Sequence, residues 1–268
     1  MEKMKNGSQL VLAMLTTTLF ALPYSIQAET AEEKGLAIAQ EIDRRDEGFA
    51  DFTANLDMTL KNKQGDESRR FIRLQTLEVK NDGDKSLSFF DEPADVKGTT
   101  ILTFSHKRDD DDQWMFLPAL RRVKRIASGN KSGSFMGSEF AFEDIGSQEV
   151  EKYNYRFLRE EDYNNRPCFV IERYPVSPHS GYKRQVVWVD KAEYRVEKID
   201  FYDRKDSLLK TLTLTGYEKY LQKYWRAGQM LMVNHQTEKT PLLKLTQYKF
   251  KPRLKDSDFN EASLKRAH

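Results

Sequence analysis

Residues 52–61 read FTANLDMTLK. Phe52, Ala54, Leu56, Met58 and Leu60 alternate with Thr53, Asn55, Asp57, Thr59 and Lys61. Successive side chains of a strand point to opposite faces, so this two-residue period puts the large apolar groups on one side and the polar groups on the other. That is the pattern of a half-buried antiparallel strand. Just upstream the period is different. Thr30 and Glu33 have capping-box spacing, Glu32 and Glu33 suit a helix N-terminus, and Arg44 and Arg45 suit its end. Gly35, Ile38, Ala39 and Ile42 fall on one helical face. The pattern predicts an amphipathic helix from Thr30 to Asp46, and sheet after it.

Strand-like runs continue almost to the end of the chain. They are predicted near Arg69–Val79, Lys85–Phe90, Thr100–His106, Gln113–Leu117, Arg122–Ile126, Val150–Leu158, Cys168–Tyr174, Lys183–Val189, Arg195–Tyr202, Leu208–Tyr217, Met230–Thr237 and Leu243–Lys249. The connections KNKQGDE, KRDDDD, VDKAEY and DRKDS are short, polar and turn-prone. Many sequential hairpins without helices between them imply one large antiparallel sheet. A sheet of that length must curl, and its concave side must be filled or occupied. The expected fold is mainly β: an unclosed antiparallel barrel covered by the N-terminal helix and a lid. No compositional break divides residues 29–268, which read as a single domain.

The first residues, MEKMKNGSQLVLAMLTTTLFALPYSIQA, combine Lys3 and Lys5, an apolar run from Leu10 to Leu22, and a small residue at Ala28. This is the layout of a secretory signal peptide over residues 1–28, with cleavage expected after Ala28. No cysteine lies near that point, so the mature chain is expected without a lipid anchor, and a bacterial periplasm fits best. The one cysteine, Cys168, sits in the strand-like RPCFVIERYP and excludes an intramolecular disulfide. A net charge of +2 over 268 residues argues against nucleic acid as a partner.

Residues 121–144 read RRVKRIASGNKSGSFMGSEFAFED. Large apolar side chains, Phe135, Met136, Phe140 and Phe142, stand in a glycine- and serine-rich loop. If that loop lies over the mouth of an incomplete barrel, they line or gate a cavity for a greasy ligand; otherwise the loop is tucked permanently onto the core. Trp114 and Phe116 are expected to line or support the same space, with Met115 and Leu117 on the opposite face, since only one pair can point inward. Arg121, Arg122, Lys124 and Arg125 are candidates for an anionic headgroup or a partner surface, against the alternative of a solvated strand face. Asp109 to Asp112 lack calcium-loop spacing and read as a solvated hairpin tip.

The run WMFLPALRRVKRI followed by SGSFMGSEFAFED, together with the tail KDSDFNEASL and the hairpin FYDRKDSLLKTL, resembles the outer-membrane lipoprotein-sorting-like family. These are relatives of the periplasmic lipoprotein carrier LolA and its receptor LolB. The resemblance covers the chain from about Ala31 onward. It implies an unclosed antiparallel barrel covered by helices, an apolar cavity that receives acyl chains, and association with inner-membrane exporters of the resistance-nodulation-division type.

Motifs for catalysis are thin. His106, His179, His235 and His268 lack HExxH spacing, there is no GxSxG elbow, and GNKSGS lacks the phosphate-loop arrangement. Neither a metal site nor a cofactor is expected. The leading expectation is a periplasmic carrier or chaperone, not an enzyme. It would bind a lipid, lipoprotein acyl chains or another amphiphile, with transient membrane contact and transfer to or from a membrane partner. The alternatives are a non-enzymatic exporter accessory subunit whose lid fills its own cavity, and a periplasmic hydrolase.

Overall fold

A computed structural model describes residues 28–265 together with Met1. Residues 2–27, the bulk of the expected signal peptide, lie outside the described residues. Among the described residues no helix is long and apolar enough to cross a membrane.

Helix α1 spans Ala31–Asp46. Its capping box forms as the sequence predicts: Thr30 Oγ1 accepts from the Glu33 amide at 3.1 Å, and the Glu33 carboxylate accepts from the Thr30 amide at 2.8 Å. The chain then runs through β1 (Asp51–Lys61), β2 (Glu67–Leu77), β3 (Lys85–Glu92), β4 (Thr100–Phe104), β5 (Asp112–Leu117) and β6 (Arg122–Ile126). A lid segment, residues 127–152, follows; it is built from 3-10 turns and one short helix, α2 (Phe142–Ile145). The second half comprises β7 (Tyr153–Tyr163), β8 (Arg166–Pro175), β9 (Tyr182–Asp190), β10 (Val196–Asp203), β11 (Leu208–Thr215), β12 (Glu218–Tyr220), β13 (Tyr224–Arg226), β14 (Gln229–Asn234), β15 (Leu242–Phe250) and α3 (Glu261–Leu264).

Thirteen strands form one antiparallel sheet in the order β6-β5-β4-β3-β2-β1-β15-β14-β11-β10-β9-β8-β7, while β12 and β13 pair separately as a hairpin. The terminal strands β6 and β7 do not pair, so the barrel is not closed. The predicted strands correspond to those observed, with shifted ends; residues 150–152, for example, form a 3-10 turn before β7. The β12–β13 hairpin is absent from the sequence prediction.

The alternation in β1 sets the inside of the sheet. Leu56 and Met58 are buried in the main core on the concave face, together with Ile72, Phe90, Ile171, Val187, Phe201, Leu212 and Leu243. Asn55 and Asp57 face the other way, bonding Gln247 at 3.0 Å and Arg69 respectively. Away from the centre the convex face is apolar as well. Leu87, Phe89, Leu102 and Phe116 pack there beneath the C-terminal segment, through Leu254, Phe259 and Leu264. On the other arm Cys168, Val170, Val186 and Trp188 form a third cluster. Cys168 is fully buried there, and burial pushes its thiol up to about 11. Helix α1 lies on β7 so closely that a Cβ on Gly35 would sit 2.7–2.8 Å from the backbone of Arg156 and Phe157. Only glycine permits that approach.

Candidate functional site

Between the concave face, α1 and the lid lies a cavity of about 830 Å³. Small-ligand sites span about 300–1,000 Å³. The sheet supplies its wall from alternate positions: Leu56 of β1, Ile72 and Leu74 of β2, Ile171 of β8, Val187 of β9, Ile199 and Phe201 of β10, Leu212 and Leu214 of β11, and Leu243 and Leu245 of β15. Helix α1 adds Ala39 and Ile42, and the lid adds Phe135, Phe140 and Ile145. Arg173 also reaches this space. It is buried, donates to Gln185 at 2.7 Å and Gln148 at 3.0 Å, and lies 4.4 Å from the centre of the Tyr153 ring.

Carboxyls gather at one end of the cavity. Asp43 of α1 and Asp84, just before β3, line it, with Glu149 close to Asp84. Burial pushes Asp84 up to about 7, and the neighbouring Glu149 charge adds to the effect. Burial raises Asp43 and Glu149 above the usual carboxylate range too. The β12–β13 hairpin forms another part of the rim. Arg226 pairs with Asp46, and its guanidinium lies 5.4–5.9 Å from the ring centres of Phe49, Phe52, Tyr224 and Phe250. Tyr224 stacks on Phe250 at 5.7 Å. Arg195 sits between Tyr217 and Trp225, at 5.0 and 4.5 Å from the ring centres, and pairs with Asp190 at 2.8 Å.

The lid is pinned by polar bonds. The Asp144 carboxylate accepts from the Ala141 amide at 2.7 Å, the Tyr182 hydroxyl at 2.8 Å and the Lys210 ammonium at 2.6 Å. The Asp144 and Lys210 side chains are only 4% and 3% exposed. Lys210 also donates to the Glu139 carbonyl at 2.8 Å, while the Glu139 carboxylate accepts from Asn234. Glu143 accepts from the Ser180 hydroxyl at 2.7 Å and the Gly181 amide at 2.9 Å, and burial raises its carboxyl. The aspartate run that reads as a solvated tip is instead part of this clamp. Asp110 pairs with Lys131 at 3.0 Å and accepts from Ser177, and Asp111 pairs with Lys152. Asp112 pairs with Arg125 and lies 3.3 Å from His106.

The predicted residues separate into distinct places. Phe135 and Phe140 are buried and line the cavity. Phe142 packs behind them, its ring edge-on to Phe135 at 5.6 Å. Met136 is half-buried at the lid's edge in a left-handed conformation, its carbonyl accepting from Arg70. Trp114 and Phe116 do not reach the cavity: they belong to the convex cluster under the C-terminal segment, and Met115 on the opposite face packs toward the main core. Arg121, Arg122, Lys124 and Arg125 lie at the β6 end of the sheet, away from the cavity wall. In register with β5, Arg122 and Lys124 share a face with Leu117 and Met115, whereas Arg125 shares the face of Trp114. Sequence reasoning passed over Asp84, Arg173 and the hairpin. The dense aromatic run of YEKYLQKYWR, residues 217–226, was the available signal for the last.

A family model described only as an uncharacterized protein matches residues 82–266. Among solved structures, one assigned as an outer membrane lipoprotein-sorting protein domain from Vibrio parahaemolyticus is 54% identical, covers 88% of this chain and 100% of its own, and has a TM-score of 0.86. A DUF1329 family protein from Desulfovibrio piger is 29% identical, with coverages of 88% and 99% and a TM-score of 0.83. A LolA superfamily protein from Nitrosomonas europaea shares the fold at 23% identity and a TM-score of 0.69, with coverages of 88% and 100%. No curated protein matches the sequence at a significant level. The half-barrel, the lid and the identity to the Vibrio domain over its whole length agree: the chain belongs to the outer-membrane lipoprotein-sorting-like family.

Proposed function

We propose that this protein is a periplasmic carrier that holds the apolar part of a lipid, an acylated protein or another amphiphile and passes it to or from a membrane partner. The observation that carries the reading is the cavity of about 830 Å³ with its aliphatic and aromatic wall. Each buried acyl methylene contributes about 0.8 kcal/mol, so affinity grows with chain length while a smooth wall reads little else. The name of the Vibrio relative, a lipoprotein-sorting domain, supports carriage. An inner-membrane exporter of the resistance-nodulation-division type is the partner to test first.

Protein purified without detergent and extracted with organic solvent is expected to yield stoichiometric lipid by mass spectrometry. Leu214→Trp and Leu245→Trp fill the cavity from its wall. They are expected to weaken uptake of a fluorescent fatty acid at least about tenfold, about 1.4 kcal/mol, while the melting temperature stays near the parent value. Lipid-free extracts, together with tryptophan variants that bind the probe as the parent does, would refute the carrier reading.

A further inference from the structure

The sheet ends differently on its two sides. At one end β7 is backed by α1, which meets the strand backbone at Gly35. At the other end β6 is bare. Beyond its pairing with β5, no described group hydrogen-bonds to the backbone of residues 122–126. Arg122, Lys124 and Arg125 are exposed and Val123 is half-buried; only Ile126, where the strand turns into the lid, is buried. Arg125 is neutralised by Asp112. Arg121, Arg122 and Lys124 have no acidic partner among the described residues, and Leu120, 64% exposed, stands at the head of the strand.

An unpaired strand edge is a template for another chain; lysines and arginines on it ordinarily block that pairing, and leave it open to a strand of opposite charge. A second copy of this strand would set like charges against each other across the pair, which is unfavourable. An acidic strand would meet the reverse. We infer that β6 is the docking edge for an extended acidic segment of a partner protein, which adds to the sheet as one more strand. Main-chain hydrogen bonds supply affinity; aspartates or glutamates opposite Arg122 and Lys124 supply selection, and Leu120 offers an apolar contact at the end. The inference is independent of what the cavity holds.

The probe is a short acetylated peptide alternating glutamate and valine, with its lysine and valine counterpart as control. The acidic peptide is expected to slow amide exchange at residues 122–126, with an affinity that falls as salt rises. The double variant Arg122→Glu/Lys124→Glu, altered only at exposed positions, is expected to melt like the parent and to prefer the basic peptide at least about tenfold. Should it fail to fold, Arg122→Gln/Lys124→Gln is expected to lose preference for either peptide. Unchanged exchange at 122–126, protection confined to another region, or a reversed variant that still selects the acidic peptide would overturn the inference. Phosphatidylglycerol vesicles that protect these residues when the peptide does not would overturn it in favour of a lipid surface.

Discussion

Along the lid, the cavity is sealed by charge buried out of water: Lys210 and Asp144, 3% and 4% exposed, held by Tyr182 and the lid backbone. Along the β12–β13 hairpin the rim is held by ring contacts and by the hairpin's own ion pairs, which water reaches; the buried Arg195–Asp190 pair beneath it joins two residues of the β9–β10 connection and does not cross to the hairpin. Asp46, the partner of Arg226, is 49% exposed, and Lys219 and Glu193 stand 3.9 Å apart at 37% exposure each. An exposed pair contributes about 0–1 kcal/mol. Removing one partner of a buried pair costs about 3–5 kcal/mol, because the other charge is stranded. The glycine-rich sequence suggests a flap, yet the flap is the costly side to open. On the proposed carrier reading, a ligand would enter more cheaply past the hairpin, with Phe135 and Phe140 as fixed wall.

That contrast can be broken at its strongest point first. Lys210→Met leaves Asp144 buried without its cation and is expected to destabilise the fold by about 3–5 kcal/mol in urea denaturation. A cost below about 1 kcal/mol, typical of an exposed pair, would mean that the lid is not locked. The carboxyl end gives the next effect. Asp84 has its folded pKa raised to about 7, so between the usual carboxylate range and pH 7 the folded chain holds a proton that the unfolded chain has lost. Stability therefore falls as pH rises through that window, and the raised Asp43, Glu143 and Glu149 act in the same direction. Asp84→Asn is expected to narrow the difference in melting temperature between pH 5 and pH 8, by an amount equivalent to about 3 kcal/mol, since one pH unit of displacement corresponds to about 1.4 kcal/mol and the window spans about two. An unchanged difference would place the buried charge elsewhere. The smallest effect belongs to the hairpin. Arg226→Gln is expected to cost about 1 kcal/mol while speeding probe uptake in stopped-flow fluorescence. Slower uptake would move the route back to the lid.

Much of this architecture was legible because it rests on period. The alternation of residues 52–60 sets the concave face, and the Thr30 and Glu33 pair sets the start of α1, both through local geometry. The lid aromatics were legible as candidates for the same reason: apolar bulk in a polar loop requires a place to go. What period cannot give is which face curls inward. Trp114 and Phe116 read as lining or supporting the cavity because alternation separates them from Met115 but carries no sign, and their cover, Phe259 and Leu264, arrives from the far end of the chain. The β12–β13 hairpin escaped because its strands are three residues each and its turn uses Leu221 and Gln222 in left-handed conformations, where glycine or asparagine would have marked it. Asp110 and Asp111 look solvated until Lys131 and Lys152 come back across them.

The strand order also carries a consequence for how the chain assembles. Every neighbour in β1 through β6 follows its partner directly in sequence, as does every neighbour from β7 to β11, so each arm forms from contacts that are cheap in loop entropy. The seam at the middle of the sheet is the exception. There β1 meets β15, and Asn55 bonds Gln247 across 192 positions. Contacts of that separation are slow to reach. This connectivity favours two meanders that form first and then pair along β1 and β15, with residues 127–152 as the covalent strap between their outer edges. The cavity comes into being only with that last step, because its wall is drawn from both arms.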